Sequence, residues 1–148
     1  MKIDYSTFEE DESLWGKVTV IDGGEEKTVS AELRPNEEIE VTDATKRSLE
    51  YFVDNYEKYK SAVLHAALEY YGRCRSEWGK SVLPEDITDI SKIEKMITLS
   101  SVVVHDAERF GDHSVALYYN CTWDKEEGMG VELKDFDVVE VGSQGSIR

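Results

Sequence analysis

Two patterns in the sequence predict an α+β fold: an antiparallel β-sheet packed on one long central helix, with a shorter helix beside it. Between Thr42 and Gly72, the residues Leu49, Phe52, Tyr56, Tyr59, Val63, Ala67 and Tyr70 recur at spacings of three and four. That spacing places them on one face of a helix. Before and after this stretch, short apolar runs alternate with turn residues, as in strands joined by tight connections. The 148 residues are enough to bury a core without staples, so the chain is read as one domain, 1–148. Residues 1–13 form an acidic lead-in and residues 142–148 a flexible tail.

The lead-in contains Phe8-Glu9-Glu10-Asp11-Glu12, whose four successive acids suit a solvated segment better than a strand or helix. From Leu14 to Leu33 the pattern is a hairpin. Trp15, Val18 and Val20 belong to its first strand, and Val29, Ala31 and Leu33 to its second. Asp22-Gly23-Gly24-Glu25 supplies the turn, because Asp-Gly and Gly-Gly tolerate positive φ. Pro35-Asn36 ends the second strand, and Glu37-Glu38-Ile39-Glu40-Val41 is a short edge strand or an extended approach to the helix.

Thr42 or Asp43 caps the helix through a side-chain oxygen that accepts from the first turn. Gly72 closes it, and Arg73 and Arg75 lie where cations are favoured. A second apolar row, Leu64, Leu68 and Tyr71, begins halfway along, while Arg47, Glu50, Asp54 and Lys58 face water. A helix of this length runs roughly 45 Å, against about 35–40 Å for a globule of this size. It therefore crosses the whole molecule or kinks near Lys60–Ser61. A shorter helix through Lys92, Ile93, Met96 and Ile97 is capped by Asp89 or Ser91.

The last third reads as strands at 98–105, 115–119, 128–133 and 136–141, with a turn at Lys134-Asp135. Tight loops between successive strands favour an antiparallel meander. No apolar run reaches the roughly 18–20 residues of a membrane span, and the N-terminus lacks the apolar core of a signal peptide. The expected location is cytoplasmic, with Cys74 and Cys121 as reduced thiols.

Seventeen basic residues face thirty-two acidic ones, a net charge of −15. Residues 1–40 hold 12 acids and 4 bases, residues 41–80 hold 6 and 7, and residues 81–148 hold 14 and 6. The helical centre is thus neutral and the flanks carry the excess. Such a surface repels nucleic acid and anionic membranes and attracts a basic protein. The candidate contacts are Glu9, Glu10, Asp11 and Glu12, then Glu37, Glu38 and Glu40, then Glu126 and Glu127. Net negative charge also keeps a protein soluble with no partner at all.

No catalytic constellation stands out. Phosphate loops, dinucleotide fingerprints and nucleophile elbows are missing, and no cofactor is expected. His65 lies among the apolar turns as a partly buried, satisfied histidine. His105 and His113 flank a loop that holds Asp106 and Asp112, and a metal or enzyme site using them with nearby carboxylates is the alternative reading. Asp124-Lys125-Glu126-Glu127-Gly128 fails the calcium-loop pattern, since position 5 is a glycine. Cys121 has neither a histidine nor a helix N-terminus to activate it.

The run Cys121-Thr122-Trp123-Asp124-Lys125-Glu126-Glu127-Gly128-Met129-Gly130-Val131 resembles the Cys-x-Trp-Asp-x-Glu-x-Gly-x-Gly-Val motif of a group of small bacterial proteins. Some of these lie beside toxin systems, so the resemblance implies an immunity-like role. It carries over no catalytic residue. Within the motif, Trp123 anchors a turn to the core, Asp124 bonds backbone N–H groups, and Gly128 and Gly130 permit the reversal. The leading expectation is a non-enzymatic acidic binding protein that neutralises a basic partner. A homo-oligomeric structural protein, with helix aromatics at its interface, is the third reading.

Overall fold

The computed structural model describes residues 3–147. A 3-10 turn at Tyr5–Thr7 leads into β1 (Glu9–Asp11), β2 (Ser13–Asp22) and β3 (Glu25–Leu33). The helices α1 (Asp43–Asp54), α2 (Tyr56–Trp78) and α3 (Ile90–Glu94) follow. Then come β4 (Ile97–Val104), α4 (Ala107–Phe110), β5 (Ser114–Cys121), β6 (Asp124–Lys134) and β7 (Asp137–Gly142). A 3-10 turn at Gln144–Ser146 ends the described chain. Among the described residues, no helix is long and apolar enough to cross a membrane.

The seven strands form one sheet in sequence order. Every junction is antiparallel except β3–β4, where Ser30 to Leu33 pair in parallel with Ser101 to Val104. The expected all-antiparallel sheet is therefore corrected to a mixed one. The reason lies between the two strands. The chain leaves β3 at one end, runs through α1, α2 and α3, and re-enters the sheet at the opposite end. Only a long crossover of this kind can join parallel neighbours.

The single long helix is corrected too. It breaks at Asn55, whose φ of −122° and ψ of 21° fall outside the helical region. The Asn55 side chain donates to the Tyr51 carbonyl at 2.9 Å, offering the backbone an alternative to continuing. Thr42 caps α1, accepting from the Thr45 N–H. Gly72 lies within α2, which runs on to Trp78 and stops at Gly79, where φ is 95°. The apolar face predicted across 49–70 survives the break: Leu49, Phe52, Tyr56, Tyr59, Val63, Ala67 and Tyr70 are all buried.

That face packs on one side of the sheet. Val18 and Val20 of β2, Val29, Ala31 and Leu33 of β3, and Val102 and Val104 of β4 meet it, as do Leu117 and Tyr119 of β5 and Met129, Val131 and Leu133 of β6. Alternation puts the intervening residues on the other, open face. There a small second cluster of Val103, Ala116 and Ile147 forms beside Tyr118. Ile147 is buried, so the segment expected to be a flexible tail folds back on the sheet through residue 147. Residues 1 and 2 of the expected lead-in lie outside the described residues, and the remainder is structured, since β1 pairs with β2 and the Phe8 ring fills the space over Gly16. Residues 37–41 form a turn and loop, not a strand.

Candidate functional site

The parallel strands β3 and β4 end side by side, and the Arg34 N–H donates to the Val104 carbonyl at 3.0 Å. In sheets of this kind, clefts open beyond the carboxyl ends of the strands, where connections diverge. Three grooves lie at this end. One, of about 530 Å³, is lined by Glu10, Glu12, Leu14, Ile39, Glu40 and Lys46 among others. A second, of about 450 Å³, is lined by Asn36, Glu37, Glu38, Glu40, Asp106, Glu108 and Arg109. Glu40 belongs to both.

The loop between β3 and α1 is held by one residue. The Asn36 side-chain oxygen accepts from the N–H groups of Glu38 at 3.0 Å and Glu40 at 2.9 Å. The Asn36 N–H donates to the Glu40 carbonyl, and the Ile39 N–H donates to the Asn36 carbonyl. This Asx-type closure forces Ile39 to φ 61° and leaves its side chain 78% exposed. A β-branched residue with positive φ costs about 1–3 kcal/mol. Glu12, on the facing β1–β2 turn, is also left-handed, with φ 62°. Residue types alone did not single out Ile39, although Pro35-Asn36 signalled the turn that displays it.

The predicted acidic contacts divide. Glu10, Glu12, Glu37, Glu38 and Glu40 converge at this end. Glu108 of α4 joins them, its carboxylate accepting from the Asn36 amide at 3.3 Å. Glu9 and Asp11 pair in register with Trp15 and Ser13, so they point to the open face. Glu126 and Glu127 sit on the β5–β6 hairpin at the far end of the sheet and do not join the cluster.

The histidines are not brought together. His105 lies on the open face, buried, with Nε2 2.5 Å from the Glu132 carboxylate and Nδ1 without a hydrogen bond. Its neighbours line a third groove, of about 650 Å³, with Arg34, Phe110, Ser114 and Glu140. His113 lies on the helix side, where it stacks on Tyr51 at 3.8 Å and bonds Asp135 at 3.0 Å. Among the described residues, no group of three or more His, Cys, Asp or Glu side chains is placed to hold a metal. The shared His105–His113 site of the alternative reading is thus corrected to two separate imidazole–carboxylate pairs. His65 is exposed on α2, not partly buried.

The Trp123 turn belongs to the packing of the far end. Trp123 meets Tyr71 edge-on at 5.3 Å and Tyr70 at 6.3 Å. Asp124 accepts from the Glu127 N–H at 3.1 Å. Gly128 has φ 67°, and a Cβ there would lie 2.6 Å from the Tyr119 carbonyl oxygen. Gly130 serves another purpose than the expected reversal: a Cβ there would strike Ile147 at 2.8 Å, so its bareness seats the C-terminal turn. Cys74 and Cys121 are free and buried. Burial raises both thiol pKa values, that of Cys121 to about 11, away from the thiolate form.

The chain belongs to the family described as Domain of unknown function (DUF6985), whose model matches residues 4–147. No curated protein and no solved structure matches it.

Proposed function

We propose that this member of the family is a non-enzymatic binding protein that engages a basic protein partner through the acidic end of its sheet and neutralises it in an immunity-like manner. The observation that carries the reading is convergence. Carboxylates from three separated segments, at 10 and 12, 37–40 and 108, line two grooves that share Glu40, and the exposed Ile39 lines one of them. Long-range attraction to such a field speeds encounter, while an apolar side chain at the centre of a charged rim supplies the desolvated contact that holds a complex. The Asn36 closure supports the same reading, because it holds Ile39 in place before any partner arrives.

The test is kinetic. The full chain, immobilised, captures its partner from the native host, and rates are then measured with the purified partner at rising salt. Association is expected to slow steeply with salt. Glu37→Lys, Glu38→Lys and Glu40→Lys together should lower the association rate by about tenfold or more, with a smaller effect on dissociation. Glu126→Lys with Glu127→Lys, at the far end, should leave both rates unchanged. A partner of net negative charge, or equal rates for the two variants, would reject the reading.

A further inference from the structure

A second interaction surface lies away from the acidic end, along the outer edge of β2. The strand runs for ten residues, but β1 covers only Ser13, Leu14 and Trp15. Beyond Trp15 the chain of β1 has already turned off, and Phe8 sits on the helix-side face over Gly16. The β2–β3 hairpin closes at Asp22↔Glu25 through Gly23 and Gly24, both of positive φ. A two-residue turn of this kind makes its closing pair a hydrogen-bonded one, and such pairs then alternate along the ladder. Val18 and Val20 therefore bond β3, while the N–H and C=O groups of Lys17, Thr19 and Ile21 point outward. Among the described residues, no backbone partner meets them.

The other edge of the sheet is managed differently. There the β6–β7 ladder is broken by a bulge, and Arg73 of α2 donates to the Val141 carbonyl at 3.1 Å. Bulges and covering side chains are the usual means of blocking strand addition. From Thr19 to Ile21, β2 has neither. Instead a groove of about 360 Å³ runs beside it, bounded by Thr19 and Ile21 on the strand and by residues 53–58 at the α1–α2 break. Val53 and Tyr56 give this groove an apolar wall, and Asp54, Glu57 and Lys58 lie along it. On the open face the neighbours of an added strand would be Lys17, Thr19 and Ile21, with Trp15 44% exposed at one end.

A row of alternating outward donors and acceptors fits an extended backbone and nothing more compact. We propose that the edge of β2 from Lys17 to Ile21 accepts an extended segment of a second, basic protein as an added strand, with every other side chain entering the groove under the α1–α2 break. The groove-facing row takes an apolar residue against Val53 and Tyr56 and a basic one two positions on. That basic residue lies beside Glu57, and the net charge of −15 favours a basic segment over an acidic one. The surface does not depend on the acidic end, since Glu37, Glu38 and Glu40 lie by the opposite end of β2.

The experiment is residue-resolved amide hydrogen exchange on the full chain. The probe is a capped octapeptide, Thr-Val-Thr-Lys-Thr-Val-Thr-Lys, whose valines and lysines share the groove-facing row. It is expected to slow exchange at the Lys17, Thr19 and Ile21 amides by about tenfold or more. The Val18 and Val20 amides, bonded to β3, report that the fold is intact. The same peptide with every backbone nitrogen methylated, or with glutamate in place of lysine, should give little or no slowing. Thr19→Pro removes one outward N–H without touching the β3 ladder and should abolish the protection. The N-methyl peptide decides the matter if that variant does not fold. Unchanged exchange at all three amides, or equal protection by the glutamate peptide, overturns the proposal. Protection already present without peptide, in a protein with the mass of a dimer, also overturns it, because the occupant is then a second copy.

Discussion

The two ends of the sheet use their carboxylates in opposite ways. At the far end, Asp22 is buried and bonds both Lys60 of α2 and, at 3.1 Å, Lys27 of β3. Lys60 also meets Glu94 of α3 at 2.5 Å. Glu57 accepts from the Gly23 N–H at 2.8 Å, and the Tyr56 and Tyr119 hydroxyls bond at 2.9 Å in the core. There, acids fix helices to strands. At the near end, Glu37, Glu38 and Glu40 are exposed, and the loop that carries them is ordered by an uncharged asparagine. Charge placed against a buried partner builds structure, whereas charge displayed without one is left to act at a distance. The contrast is why a count of acids does not locate a binding surface.

Breaking the buried network should have the largest effect. Burial opposes charge on Asp22 and Lys60, yet the hydrogen bonds between them outweigh it, so the Asp22 pKa falls and the Lys60 pKa rises. Lys60→Met leaves Asp22 and Glu94 without their shared cation and should cost about 3 kcal/mol by denaturant titration. The sign with pH follows from the two shifts. The Asp22 contribution is present above its unfolded pKa and is lost as pH falls through the lower folded value. The Lys60 contribution is present below its unfolded pKa and is lost as pH rises through the higher folded value. The gap between wild type and Lys60→Met should therefore be widest between about pH 4 and 10 and shrink outside that window. A variant as stable as wild type at pH 7 would remove the network from the comparison.

The near end should respond with the opposite sign. Ile39→Gly relieves a β-branched side chain held at positive φ, and little packing is lost because the residue is exposed. Stability should rise by about 0.5–1 kcal/mol, read as a higher denaturation midpoint, while binding of the captured partner weakens. A fall in stability would mean that Ile39 is a packing residue. The smallest change is expected from Glu37→Lys, Glu38→Lys and Glu40→Lys, which together should move the unfolding free energy by less than about 0.5 kcal/mol. A larger loss would show that these acids build structure, as Asp22 does.

Much of the fold was legible in the sequence because burial imposes a period. The face from Leu49 to Tyr70 and the β2–β3 hairpin with its Gly23-Gly24 turn follow from local spacing and local φ preference, and so does the Thr42 cap. The last four strands were visible for the same reason. The site was half legible: the acids at 10, 12 and 37–40 stand out by type, but nothing local says that Glu126 and Glu127 point away from them. The helix break at Asn55 was missed because asparagine is tolerated within helices. Only its bond to Tyr51, with Tyr56 and Lys60 drawn toward Tyr119 and Asp22, makes the break the better arrangement.

The sequence by itself determined which residues are apolar, at what period, and where the excess charge lies, because these are properties of neighbours along the chain. Tertiary structure alone decided the rest. The parallel pairing of β3 and β4 depends on which end of the sheet the helical crossover returns to. The pairing of Lys60 with Asp22 and Glu94 joins α2 to β2 and α3, segments far apart in sequence. The separation of His105 from His113 depends on which face of the sheet each one meets. The open edge of β2 exists because β1 is three residues long and turns away at Phe8. Each of these is a relation between segments distant in sequence, and the free energy that selects it comes from burial and pairing that no single segment contains.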